Sequence, residues 1–283
     1  MTAQPLINND DFILSLVDLE RYPIADLTRG AGAEFLATCQ QQMEQVGWCS
    51  FADFIKPEKL DALAAEANNL LPDAEELIIK RNIYQGAANA NLADDNPASK
   101  EYTHRALQLA DDQLPESTLI KQLYKSDLLT DFIRQVQKKP TLYRCEDEFQ
   151  ALNIVALEPG SWHAWHYDTT ECTVTLLLQP AEKGGEFTFL ANSRTDDDED
   201  HEAVARLLSG DTSRANTLSR GAGTLTLFRG GYSLHGVTEI EGSHPRISAI
   251  LTYAEEPGVV IDDDINIRIY GPRAQTIIDS RQG

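Results

Sequence analysis

The chain has 283 residues, 42% of them hydrophobic, and its 24 Lys+Arg against 45 Asp+Glu give a formal net charge of -21. So acidic a surface repels phosphate backbones and anionic lipid headgroups, which sets nucleic acid and membranes aside as partners. The length suits one large domain, or a catalytic domain with a helical support, and either can bury a full core.

Cys39, Cys49, Cys145 and Cys172 form no CxxC pair, so all four read as reduced thiols with neither a disulfide framework nor a zinc site. Met1 to Asp11 lacks a basic stretch leading into an apolar one, and no segment approaches the roughly 18 apolar residues of a membrane span. The expected location is cytoplasmic.

In chain order, Gly30 to Val46 places Phe35, Leu36, Cys39, Met43 and Val46 near helical spacing, and Gly47 ends the helix before a strand at Trp48 to Phe51. Pro57 opens a second helix, whose Leu60, Leu63, Ala64, Ala67, Leu70 and Leu71 line one face up to Pro72. Such stripes are core positions and carry no chemistry. Gly86 to Ser99, with Asn89, Asn91, Asp94, Asp95, Asn96 and Pro97, reads as a loop, and its length makes it either a lid or disordered. Thr118 to Val136 reads as one helix.

From about Tyr143 the texture changes to short strands punctuated by turns: Gln150 to Leu157, Glu171 to Gln179, Glu186 to Ala191, Thr224 to Phe228, Leu234 to Ile240 and Arg246 to Tyr253. Asp196 to Asp200 opens a short helix that Gly210 stops, and these carboxylates complement its dipole and face water. The expected class is α+β: a jelly-roll, or double-stranded β-helix, barrel braced by N-terminal helices. Residues 1–142 would be a mainly helical support, and 143–283 the core, with an acidic helical insertion near 195–212.

His166 and Asp168 are two residues apart, so on an extended strand both side chains leave one face and can share a metal ion. An HxD pair alone arises by accident in an Asp-rich chain. Here it is followed by His235 and then by Arg246, which opens an apolar strand as Arg-x-Ser with Ser248. Those are the parts of a 2-His-1-carboxylate triad with an anion anchor beside it.

From about Asn153 to Tyr253, this order of HxD, distal His and RxS resembles the non-haem iron(II), 2-oxoglutarate-dependent oxygenases. The resemblance implies Fe(II) held by His166, Asp168 and His235, which are also the catalytic residues. It implies 2-oxoglutarate as cosubstrate, its distal carboxylate on Arg246 and Ser248, and O2 as oxidant. Oxidation of 2-oxoglutarate to succinate and carbon dioxide would drive hydroxylation of a C–H bond. The phrasing around the motifs is similar to the radical halogenases of free lysine and their amino-acid hydroxylase relatives: His163 to His166, Gly184-Gly185-Glu186-Phe187, Leu227 to Gly230, Tyr232 to His235 and Tyr270-Gly271. Halogenases carry glycine where Asp168 stands, so the resemblance implies a hydroxylase.

It further implies a small-molecule substrate, a free amino acid. His163 would be either a substrate contact or a packed histidine; the former requires irregular backbone after Pro159-Gly160, because on an ideal strand it points away from His166. Arg105 would take a substrate carboxylate and Glu148 an amine, with Thr252 and Tyr270 lining the pocket. Trp162 and Trp165 read as core or pocket wall. Thr169 and Ile250 depart from the polar residues of lysine-specific members, which points to another amino acid. Three alternatives stay open: desaturation or cyclisation by the same chemistry, action on a protein side chain, and a metal-binding sensor without turnover.

Overall fold

A computed structural model describes residues 9–93 and 96–281. The first eight residues of the Met1 to Asp11 stretch, and Asp94 and Asp95 of the expected loop, lie outside them.

The elements run α1 (Asn9–Leu16), α2 (Gly30–Val46), β1 (Trp48–Phe51), α3 (Pro57–Leu70), β2 (Glu75–Arg81), β3 (Tyr102–Leu109), α4 (Leu119–Tyr124) and α5 (Asp127–Val136). Then follow β4 (Tyr143–Arg144), β5 (Leu152–Leu157), β6 (His163–His166), β7 (Thr173–Gln179), β8 (Lys183–Gly184), β9 (Phe187–Leu190) and α6 (His201–Leu208). The last are β10 (Asn216–Leu218), β11 (Leu225–Phe228), β12 (Leu234–Val237), β13 (Ile240–Glu241), β14 (Arg246–Leu251), β15 (Tyr253–Ala254) and α7 (Asp263–Arg281).

A seven-stranded antiparallel sheet, ordered β1-β11-β7-β14-β5-β3-β2, faces a four-stranded sheet ordered β10-β9-β12-β6. This is the expected mixed α+β jelly roll. Alternation sorts the large sheet's side chains onto two faces. Ile154, Ala156, Val174, Leu176, Leu225, Leu227, Ile247 and Ala249 pack outward into one core with the helices. Leu157 and Phe228 turn inward to meet Phe187, Phe189 and Val237 of the small sheet. The helices brace the outer face through an aromatic cluster in which Phe51 lies 5.4 Å from Phe132 and 5.6 Å from Tyr22. Each such ring buries about 150–250 Å², so this layer fixes the position of the sheet and its inward-facing residues.

Three differences from the sequence reading matter. The segment 1–142 contributes two further strands, β2 and β3, to the large sheet beside the expected β1. Thr118 to Val136 is two helices, because Ser126 accepts a hydrogen bond from the Leu129 amide and starts α5 afresh. A C-terminal helix, α7, packs against β2, reaches Gln108 of β3 through Tyr270, and kinks at Gly271-Pro272. The acidic stretch behaves as expected, with the Asp200 side chain capping α6 by accepting from the Ala203 amide. All four cysteines are free. No described helix is long and apolar enough to cross a membrane.

Candidate metal centre

β6 and β12 are paired neighbours in the small sheet, with His235 directly opposite His166. Asp168 follows two residues after β6 ends, its backbone N–H donating to the Gly230 carbonyl. The result is a three-residue cluster whose ligand atoms all lie within 4.8 Å of one another. Asp168 Oδ1 is 3.4 Å from His166 Nε2, and Oδ2 is 3.5 Å from His235 Nε2.

Both imidazoles are oriented from behind. His166 Nδ1 lies 2.8 Å from the Ala164 carbonyl and His235 Nδ1 2.9 Å from the Ser233 carbonyl. A carbonyl only accepts, so each Nδ1 carries the proton and each Nε2 turns a lone pair toward Asp168. Burial, reinforced by His235, pushes His166 down to about 4, keeping it neutral. Burial opposes ionisation of Asp168, but His235 and His166 outweigh it and hold the carboxyl well below its usual range. Two neutral nitrogens and one carboxylate converging on one point form the donor set that suits a first-row divalent ion with open positions.

The carboxylate is seated by a close approach. Thr173 donates its hydroxyl to Asp168 Oδ2, and a Cβ added at Gly230 would stand 2.1 Å from that same oxygen. Gly230→Ala is therefore expected to push Asp168 off the two imidazoles. Iron affinity should fall by at least the ~10–100-fold typical of losing a group behind a ligand, with the far-ultraviolet circular dichroism unchanged. Unaltered iron affinity would show that the glycine does not position the carboxylate.

His163 also reaches the cluster. β6 carries a bulge: the three steps from His163 to His166 oppose only the two from Val237 to His235. One extra residue reverses the alternation, so His163 and His166 emerge on the same face with ring centroids 4.2 Å apart. The irregular backbone expected after Gly160 is thus inside β6.

Two residues not foreseen from the sequence complete this corner. His104 on β3 is 2% exposed, lies edge-on 5.0 Å from His163 and 5.8 Å from His166, and has no hydrogen-bond partner on either ring nitrogen. Burial and the Arg81 charge push it down to about 2. Arg81, at the end of β2, sets Nη2 3.4 Å from His163 Nε2 while its Nε is buried without a partner. Burial lowers Arg81 to about 10, against the pull of Asp168. A guanidinium and an imidazole with unpartnered buried polar atoms thus stand beside the ligand cluster.

On the large sheet, Arg246 and Ser248 point inward and are 5% and 8% exposed. Arg246 donates Nε–H to the Gly185 carbonyl at 3.0 Å and Nη1–H to Ser248 Oγ at 2.7 Å. Gly185 has φ +65°, and a Cβ there would sit 3.1 Å from Arg246 Cδ, so the Gly184-Gly185 turn makes room for this side chain.

The remaining expected residues lie elsewhere. Arg105 follows His104 on β3, so it leaves the opposite face, is exposed, and pairs with Glu76 at 2.6 Å. Glu148 is exposed and pairs with Arg281 of α7. Tyr270 is fully buried, accepting from Gln108 at 2.9 Å and stacking 5.7 Å from Phe149. That places it four residues, about 13 Å, along β3 from His104. Thr252, past the end of β14, engages through its backbone, its carbonyl accepting from the Tyr124 hydroxyl at 2.7 Å. Trp165 packs beside Tyr167, whereas Trp162 is 50% exposed and lies outside the core. The signal for His104 and Arg81 was present in the two inward-outward strands that carry them.

Among solved structures, the chain is similar to SnoN, a non-haem alpha-ketoglutarate-dependent epimerase of nogalamycin biosynthesis, with 18% identity over 79% of this chain and 82% of that one and a TM-score of 0.57. It is similar to AviO1 from Streptomyces viridochromogenes, with 14% identity, 79% and 96% coverage and a TM-score of 0.53. A 2OG-Fe(II) oxygenase-family protein from Burkholderia pseudomallei gives 16%, 79%, 92% and 0.50 in the same order. No curated protein matches. The fold is thus the jelly roll of the 2-oxoglutarate-dependent iron oxygenases. Within that class, residues 32–260 match the Halogenase D family model, and the chain belongs to that family.

Proposed function

We propose that the protein is an Fe(II)- and 2-oxoglutarate-dependent dioxygenase that hydroxylates an unactivated C–H bond of a free amino acid or related small molecule, releasing succinate and carbon dioxide. The observation that carries this reading is the corner of Arg81, His104 and His163, with its unpartnered buried nitrogens, against the His166–Asp168–His235 cluster. A substrate carboxylate set there would satisfy the Arg81 guanidinium with a planar, charge-assisted pair and bring the adjoining carbon chain to the cluster.

His166, Asp168 and His235 would hold iron, which when bound supplies dioxygen activation coupled to oxidation of 2-oxoglutarate. Arg246 would hold the distal carboxylate of 2-oxoglutarate, with Ser248 orienting the guanidinium and offering a second hydroxyl contact. Asp168 occupies a coordination position that a halide would need, which favours hydroxylation over halogen transfer despite the family's name. Arg81 takes the carboxylate role first given to Arg105, whose guanidinium is committed to Glu76 on the outer face. Residues 143–283 would form the catalytic core, with 1–142 supplying the helical brace and also Arg81 and His104. A cytoplasmic location suits the four free thiols.

The test is a screen of free amino acids and related small molecules for substrate-dependent succinate formation, followed by product mass. A gain of one oxygen supports hydroxylation. Loss of two hydrogens, or an unchanged mass such as epimerisation gives, would replace it. With a substrate found, Arg81→Gln is expected to raise its KM by roughly 30- to 10³-fold, about 2–4 kcal/mol, because the buried carboxylate loses the guanidinium that pairs with it. Affinity for 2-oxoglutarate should not change. An unchanged KM would remove the substrate carboxylate from Arg81.

A further inference from the structure

Arg220, in the segment joining β10 to β11, sends its side chain into the barrel. Its Nη1–H group donates to Thr175 Oγ1 and Thr226 Oγ1, each at 3.2 Å, and its guanidinium carbon lies 4.6 Å over the Phe187 ring. Phe187 is in turn 5.7 Å, centroid to centroid, from the His235 ring. Thr175 and Ser248 are diagonal neighbours on β7 and β14, since Ile250 stands opposite Thr175 and Ser248 opposite Leu177. Arg220 and Arg246 therefore approach one patch of the inner wall from two sides.

Both guanidiniums line a cavity of about 290 Å³ whose walls include Leu177, Gly185, Glu186 and Leu218. Among the described residues neither forms an ion pair. The Arg220 contacts are to two neutral hydroxyls and a ring face, weak compensation for a buried cation. Burial and the neighbouring Arg246 charge depress Arg220 well below the usual arginine range, and Glu186 offsets this only in part. Two like charges lining one cavity repel, and Glu186 on its wall forms an ion pair with neither among the described residues. The hydrogen bonds of Arg220 use Nη1, and those of Arg246 use Nε and Nη1. That leaves N–H groups on both for a shared acceptor.

We infer that Arg220 is a second cation for the distal carboxylate of the cosubstrate, closing with Arg246 and Ser248 a double-guanidinium pocket that selects a keto acid with a second carboxylate. The inference rests on the cosubstrate assignment proposed above. A purely structural Arg220, pinning β7 and β11 through the two threonines, would support folding without any such selectivity.

Anaerobic titration of the Fe(II)-loaded protein, read from its metal-to-ligand charge-transfer band, separates these cases. The two probes are 2-oxoglutarate and 2-oxobutyrate, which has the same keto-acid head but no distal carboxylate. Arg220→Gln, which keeps a donor for the threonines, is expected to weaken 2-oxoglutarate by about 10-fold or more while leaving 2-oxobutyrate within about twofold. Arg220→Lys should restore part of the preference by returning the charge. A preference retained in Arg220→Gln but lost in Arg246→Ala would overturn the role of Arg220 alone. Equal weakening of both acids in Arg220→Gln would also overturn it, in favour of packing. A wild-type protein with no preference between the acids would overturn both this assignment and the cosubstrate site beneath it.

Discussion

His235→Ala is expected to abolish stoichiometric Fe(II) binding and, with it, succinate formation. The histidine stands directly across β12–β6 from His166, with ring centroids 4.2 Å apart, and presents Nε2 to Asp168 because its Nδ1–H is committed to the Ser233 carbonyl. Removing it leaves one imidazole and one carboxylate, a pair with too few donors and without the facial geometry to retain a labile divalent ion. The loss should exceed the ~10–100-fold that follows when only a group supporting a ligand is removed. Anaerobic iron titration checks binding apart from turnover, and unchanged circular dichroism checks that β12 keeps its place. A variant that binds iron one-to-one and turns over normally would take His235 out of the site.

Arg246→Ala is expected to raise the Kd for 2-oxoglutarate by roughly 10²- to 5 × 10³-fold, from the about 3–5 kcal/mol that breaking a buried charge pair costs. The arginine is 5% exposed and its orientation is fixed at two points, Gly185 and Ser248. An incoming carboxylate thus meets a preorganised fork and gives up little side-chain entropy in binding. Iron binding without cosubstrate should be unaffected, since Arg246 lies outside the ligand cluster. Arg246→Lys should recover part of the affinity, through charge without bidentate geometry. A Kd within a few-fold of wild type in the alanine variant would move the cosubstrate elsewhere.

The ligand cluster and the Arg-x-Ser anchor were legible in the sequence because they depend on residue type and order along strongly patterned strands. His166, Asp168, His235, Arg246 and Ser248 need only an inward face, and alternation supplies it. The corner proposed for substrate was less legible because it depends on parity. His104 and Arg105 are adjacent, and a strand sends them to opposite faces, so naming the arginine rather than the histidine reversed inside and outside. β2 has no fully buried residue, alternating only between half-buried and exposed, so its sequence gives a weak strand signal and Arg81 went unnoticed. Glu148 and Tyr270 could not be placed without α7. The Gly271-Pro272 break in that helix interrupts its apolar spacing, and its Arg281 and Tyr270 side chains reach back to Glu148 and Phe149.

The bulge in β6 also puts His163, the proposed substrate contact, and His166, an expected iron ligand, on one short strand. β6 is an edge strand of the small sheet, hydrogen-bonded to β12 on one side only, and its extra residue is left out of the ladder. A substrate held on His163, as proposed, would therefore pull on the four-residue segment that ends at His166, with sheet on one side only to resist. The strand would then act as a short lever, and iron held at its far end would register the arrival of substrate in its electronic spectrum.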